Sequence, residues 1–197
     1  MAILSGSITY TRFSVLANLP NSLAEYFEKA LAIRRFVPLH EEGRDIESSG
    51  WVSIQNPYLD DERILNNQFM YGDLIVLGFR EDKISIPKAM LRDLVSRRLQ
   101  EFPDKNRQVV EAAVIAELRQ RILPKSKVTE VLWDLSKGQV RLFARGKGMC
   151  EKFEKLFEQT FQAKLKQLTY PEIALSQQLS LKDKGYLETL MPQEIFT

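Results

Sequence analysis

The sequence predicts an α+β fold: a mostly antiparallel sheet in two halves, one βαββ-like and one ββαβ-like, with an inserted helical hairpin arm. Three observations predict it. Strand-like segments gather on either side of a helical stretch instead of alternating strictly with helices. Between Pro87 and Pro124 the apolar period becomes that of a helix, twice over. Beyond Pro124 a strand pattern returns, with Gly138 at the turn of a β-hairpin. No repeat, low-complexity run or linker interrupts the chain. The expected division is a central body of residues 1–86 and 126–168, an arm of 87–125 and a C-terminal tail of 169–197.

Taken in order, residues 6–15 (GSITYTRFSV) are β-rich, and the slip in alternation near Arg12 predicts a bulge. Ser22 and Glu25 have capping-box spacing. Leu23, Phe27, Ala30 and Leu31 then follow helical spacing, which predicts a helix over 22–34. Residues 50–54 read as a strand, and so do 73–80, whose nearly continuous apolar run suits burial on both faces. Pro87 is a good first helical residue, and Met90, Leu91, Leu94, Val95, Leu99 and Phe102 form an apolar stripe. Pro103 ends that helix. A second helix over 105–122 carries Val110, Val114, Leu118 and Ile122 at intervals of four and stops before Pro124. Residues 128–134 and 139–145 form the two strands around the turn at 135–138. A third long helix, 147–161, buries Met149, Phe153, Leu156, Phe157 and Phe161, with Glu151 and Lys155 as an i,i+4 pair outside. Residues 163–168 make a last short strand, and 169–197 carry only weak periodicity.

Composition excludes several classes. With 197 residues, 44% hydrophobic and 27% charged, the chain is neither collagen-like nor disordered and is long enough to bury a core. A single Cys rules out an internal disulfide and any Cys-based zinc site. The opening MAILSGSITYTRF has no basic n-region or apolar h-region, and no window nears 18 apolar residues. A soluble, cytoplasmic protein is expected. Net charge is only +2, but residues 40–63 sum to −5, whereas 80–128 and 137–166 each sum to +5. Such a basic face suits a polyanion, and equally suits solvated helix surfaces.

Catalytic chemistry finds little support. The only His, His40, precedes an acidic loop with no nucleophile motif beside it, and a loop or core role fits it better. Cys150 is expected to be a small, semi-buried residue beside the apolar stripe. Neither GxxxxGK[ST] nor GxGxxG occurs, and Gly146-Lys147-Gly148 reads as a flexible strand-to-helix turn. Glu41-Glu42 and Asp60-Asp61-Glu62 read as solvated acidic loops, not a metal site. No catalytic residue, metal or cofactor is expected.

Three segments together resemble a family. Gly50-Trp51-Val52 resembles its GWV strand. Arg80-Glu81-Asp82-Lys83-Ile84, followed by Pro87, resembles its EKILP strand-to-helix segment. Ile122-Leu123-Pro124-Lys125, followed by Leu132-Trp133-Asp134, resembles its LLPR…WID pattern. In this order, over about residues 6–168, the chain is similar to the recombination-associated RdgC proteins, as a short member of that kind. The resemblance implies a non-enzymatic, nucleoid-associated homodimer that binds duplex DNA without sequence preference and limits access of a RecA-type recombinase. Two features depart from the family pattern. Ser126 and Lys127 stand where the family has Ala-Phe, and the family's further C-terminal portion has no counterpart in these 197 residues.

With that resemblance, the basic blocks become candidate phosphate contacts. These are Lys83 at the strand-to-helix junction, Lys88, Arg92, Arg97 and Arg98 on the first arm helix, Arg107, Arg119 and Arg121 on the second, and Lys125 and Lys127 beyond its end. Lys83 is expected to be partly structural, with its ammonium paired to a neighbouring acid. Nothing resembles a recognition helix, and aromatics are not interleaved with the charges, so duplex backbone is favoured over base reading or single-strand stacking. Lys152 and Lys155 are read as a solvated face held in local pairs. A rival reading is a protein-interaction or inhibitor module that contacts a recombination enzyme through the acidic loop 41–62. A nuclease accessory subunit is a weaker third.

Overall fold

Strands and helices fall in the order β1 (Thr11–Leu16), α1 (Leu23–Ile33), β2 (Glu47–Val52), α2 (Asn66–Phe69), β3 (Met70–Tyr71), β4 (Leu74–Lys83), α3 (Lys88–Glu101), α4 (Arg107–Arg121), β5 (Lys125–Asp134), β6 (Gln139–Leu142), α5 (Lys147–Phe161) and β7 (Lys164–Gln167). A computed structural model of the chain describes residues 9–16, 20, 22–39, 45–59, 64–169 and 172–173. His40, the acidic residues 41–42 and 60–62, and nearly all of the tail lie outside the described residues.

The α+β class is as expected, with one seven-stranded sheet joining both halves. Its order is β2-β4-β5-β6-β1-β7, and β3 pairs with β4 off that path. Every strand pairing among the described residues is antiparallel. The longest ladder joins β4 to β5, with Leu74 opposite Asp134 at one end and Lys83 opposite Lys125 at the other. Alternation along these strands aims Ile75, Leu77 and Phe79 of β4, with Val131 and Trp133 of β5, to one face. All five are buried there. Helices α1 and α5 cover that face. Trp51 meets Phe153 at 6.0 Å between ring centroids, Trp133 meets Phe157 at 4.9 Å, and Phe27 joins the helices by meeting Phe161 at 5.5 Å. The Trp51 indole N–H donates to Thr160 Oγ1 at 2.8 Å, so that ring is fixed by a hydrogen bond as well as by packing.

On the opposite face the strands carry a buried ion pair. Arg80, 5% exposed, donates from Nε and Nη2 to the two carboxylate oxygens of Asp82 at 2.9 and 2.8 Å. Its guanidinium lies over the Phe36 ring at 4.1 Å and the Tyr58 ring at 5.7 Å. The Phe36 segment runs hard against β2. Its amide donates to the Trp51 carbonyl at 2.9 Å, and a Cβ on Gly50 would come within 2.5 Å of Phe36 N. Only glycine permits that approach.

The arm has a core of its own. Val95 of α3 packs with Val110, Val114 and Leu118 of α4, flanked by Leu91, Leu94, Leu99 and Ile122, in a cluster separate from that of the sheet. Asn106 caps α4 by accepting from the Gln108 amide at 2.8 Å.

Several expectations are corrected. Pairing runs through Arg12 opposite Arg141 with no bulge, because Phe13 must keep register with Val140 to reach the core. Ser22 makes no capping hydrogen bond, and the Glu25 carboxylate pairs with Lys29 at 2.6 Å instead of completing a capping box. Met90 and Phe102 leave the α3 stripe, each 46% exposed, because α4 covers only the side bearing Leu91 to Leu99. Glu151 approaches Lys147, not Lys155. Helix α2 and the short β3 are additions to the expected elements, and β5 begins at Lys125, three residues earlier than expected.

Candidate functional site

The expected phosphate contacts divide by what their side chains already hold. Arg98 of α3 and Arg121 of α4 share the carboxylate of Glu117, at 2.9 and 2.8 Å. Arg119 donates to the Asp45 carbonyl at 2.5 Å, and its Nε is buried without a partner among the described residues. These three tie the arm together or to the body. Lys83, at the end of β4, pairs with Glu47 of β2, its cross-strand neighbour. The other six make no ion pair among the described residues: Lys88, Arg92 and Arg97 on α3, Arg107 at the first position of α4, and Lys125 and Lys127 on β5. All six are exposed. Lys88 and Arg92, four residues apart, share one strip of α3, whereas Arg97 lies on another side of the helix.

Lys125 and Lys127 do not simply follow the arm helix. As strand residues they stand opposite Lys83 and Glu81, on the face that α5 covers. A groove of about 520 Å³ opens there between the strands and α5. Lys152 and Lys155 of α5 line it together with Lys83, Lys125 and Lys127. Both side chains are exposed, as expected, but the expected local pairs are corrected. Lys152 reaches across the fold, with Nζ 2.9 Å from Glu81 and 3.4 Å from Glu47. Lys155 lines the same groove and makes no ion pair among the described residues. Helical spacing puts 152 and 155 on one face, but their meeting with β5 depends on a register that the sequence does not print.

The electrostatics of the groove follow from these contacts. The hydrogen bond from Lys83, then that from Lys152, holds the Glu47 carboxyl below the ordinary carboxylate range. Glu81, by its hydrogen bond, raises the Lys152 ammonium above its usual value. The folded-state pKa of Glu47 is depressed, so its contribution to stability is present above the ordinary 4.5 and fades as pH falls through the lower, folded value. In a side-chain NMR titration Glu47 is expected to titrate below 4.5, and Lys83→Met is expected to move the midpoint up. A wild-type midpoint at or above 4.5 contradicts the pairing.

A second groove, about 1010 Å³, lies at the start of α5 and is lined by Arg12, Arg145, Lys147, Cys150 and Glu154 among others. Gly146 there has φ +112°, which makes it the turn residue expected. Cys150 is buried, with Sγ 3.7 Å from Thr11 Oγ1. Burial, with Glu151 adding to it, pushes the Glu154 carboxyl up. Among the described residues no three His, Cys, Asp or Glu side chains gather as a metal site, and no helix is long and apolar enough to cross a membrane. No protein-family model matches the chain, and a search of curated proteins finds no match to it.

Proposed function

We propose that the protein is a non-enzymatic, sequence-independent binder of duplex DNA, of RdgC type, which modulates homologous recombination as a nucleoid-associated homodimer. It would do so by limiting the access of a RecA-type recombinase to DNA. The observation that carries this reading is that six of the cations on the arm and β5, Lys88, Arg92, Arg97, Arg107, Lys125 and Lys127, are exposed and hold no ion pair among the described residues. Positive surface charge attracts anions and speeds their association. These side chains come from two helices and a strand and are spread over several surfaces, which suits phosphate contact without base reading. The three RdgC-like segments, in order, supply the recombination context.

The test is a salt titration. Six phosphate contacts predict that affinity for random duplex falls about 10³-fold between roughly 50 and 200 mM salt. Two duplexes of unrelated sequence are expected to give the same curve in fluorescence anisotropy. Absence of binding at low salt overturns the reading and favours the interaction module that contacts a recombination enzyme.

A further inference from the structure

The end of the β4–β5 ladder breaks a rule of sheet design. Lys83 and Lys125 stand directly opposite each other, and like charges in that position destabilise a sheet. Helix α5 adds two more cations, Lys152 and Lys155, at the same place. Relief comes from two carboxylates. Glu47 bridges Lys83 and Lys152, and Glu81 holds Lys152 from the other side. The remaining three lysines, Lys125, Lys127 and Lys155, line the groove without an ion pair among the described residues.

We propose that this groove is a seat for the phosphodiester backbone of duplex DNA, built from Lys125, Lys127 and Lys155, and that Glu47 and Glu81 occupy it as carboxylate stand-ins until phosphate replaces them. The inference rests on the DNA-binding reading above and extends it from the arm to α5. The exposed lysines engage the backbone first, since they have no protein partner to give up. A phosphate that enters then competes with Glu47 for Lys83 and Lys152, whose side chains are about half exposed. The exchange of one anion for another keeps Lys83 and Lys152 paired throughout. The carboxylates weaken binding by holding two cations in reserve, and they lend specificity, because an isolated small anion gains little by displacing them.

The experiment measures anisotropy of a labelled random duplex across salt, with thermal melting as the check on folding. Combining Lys125→Gln, Lys127→Gln and Lys155→Gln removes three exposed charges and leaves every ion pair in place. It is expected to weaken binding roughly 10- to 100-fold near 0.1 M salt and to flatten the salt slope by about 0.9 for each phosphate left without its lysine. Glu47→Gln releases Lys83 and frees Lys152 from one of its two carboxylates, and is expected to tighten binding roughly three- to tenfold. If the triple variant binds like the wild type while reversal of the arm cations abolishes binding, the groove assignment fails and the DNA reading stands. Unchanged or weaker binding by Glu47→Gln overturns the carboxylate stand-in. A wild-type protein that does not bind duplex at low salt overturns both.

Discussion

Asp82→Ala is expected to cost about 3–5 kcal/mol of stability, the penalty typical of breaking a buried pair by removing one partner. The size follows from Arg80, which is 5% exposed and loses both of its carboxylate bonds. The Pro57 carbonyl, 3.4 Å from Nη1, and the Phe36 and Tyr58 rings stay against the guanidinium, but the two-point carboxylate contact is gone. Against a total of about 5–15 kcal/mol for a domain, this is a large share. Replacing both partners, as in Arg80→Met with Asp82→Leu, removes the buried pair as a whole and is expected to cost less. Urea unfolding of the two variants decides the matter. A single variant no less stable than the double would show that losing Asp82 alone carries no special penalty.

The second large effect concerns binding. Under the proposed function, Lys88→Glu, Arg92→Glu, Arg97→Glu and Arg107→Glu together are expected to weaken duplex binding by roughly two to four orders of magnitude, with the salt slope falling by about 0.9 for each phosphate no longer neutralised. Arg119 and Arg121 are left out for structural reasons. Arg119 is committed to the Asp45 carbonyl and Arg121 to Glu117, so their reversal would disturb the arm as well as the surface. The four chosen side chains are exposed and hold no ion pair among the described residues, so thermal stability should move by no more than about 0.5 kcal/mol per site. Binding within a factor of about three of wild type in a salt titration would remove the arm from the DNA surface.

Local periodicity makes the arm, the β5–β6 turn and α5 readable from sequence. Each of these is decided by neighbours a few residues apart: Val110, Val114 and Leu118 repeat every four residues, and Gly138 takes φ +58° at its turn. What depends on distant partners is not readable in this way. Lys125 to Lys127 is too polar to announce a strand and becomes one because Glu81 to Lys83 offers a free ladder edge. Glu47 sits in an acidic stretch of the sequence, yet it is a strand residue holding two lysines. The groove is therefore legible only in part. Lys83, Lys125 and Lys127 stand out by their place beside the arm, whereas Lys152 and Lys155 do not, because their meeting with β5 is a matter of register.

The separate core of the arm also bears on how the sheet is assembled. Strands β4 and β5 form the longest ladder, yet the 84–124 segment separates Lys83 from Lys125. Closing a flexible loop costs about 0.6 kcal/mol more for each doubling of its length, and that cost precedes any pairing. Helices α3 and α4, 14 and 15 residues long, are nearly equal and fold back on one another, so the chain leaves α4 close to where it entered α3. Once this hairpin has formed from its own local packing, the two strands meet as if joined by a short turn. The arm thus converts a long-range pairing into a local one and lowers the effective contact order of the sheet's centre.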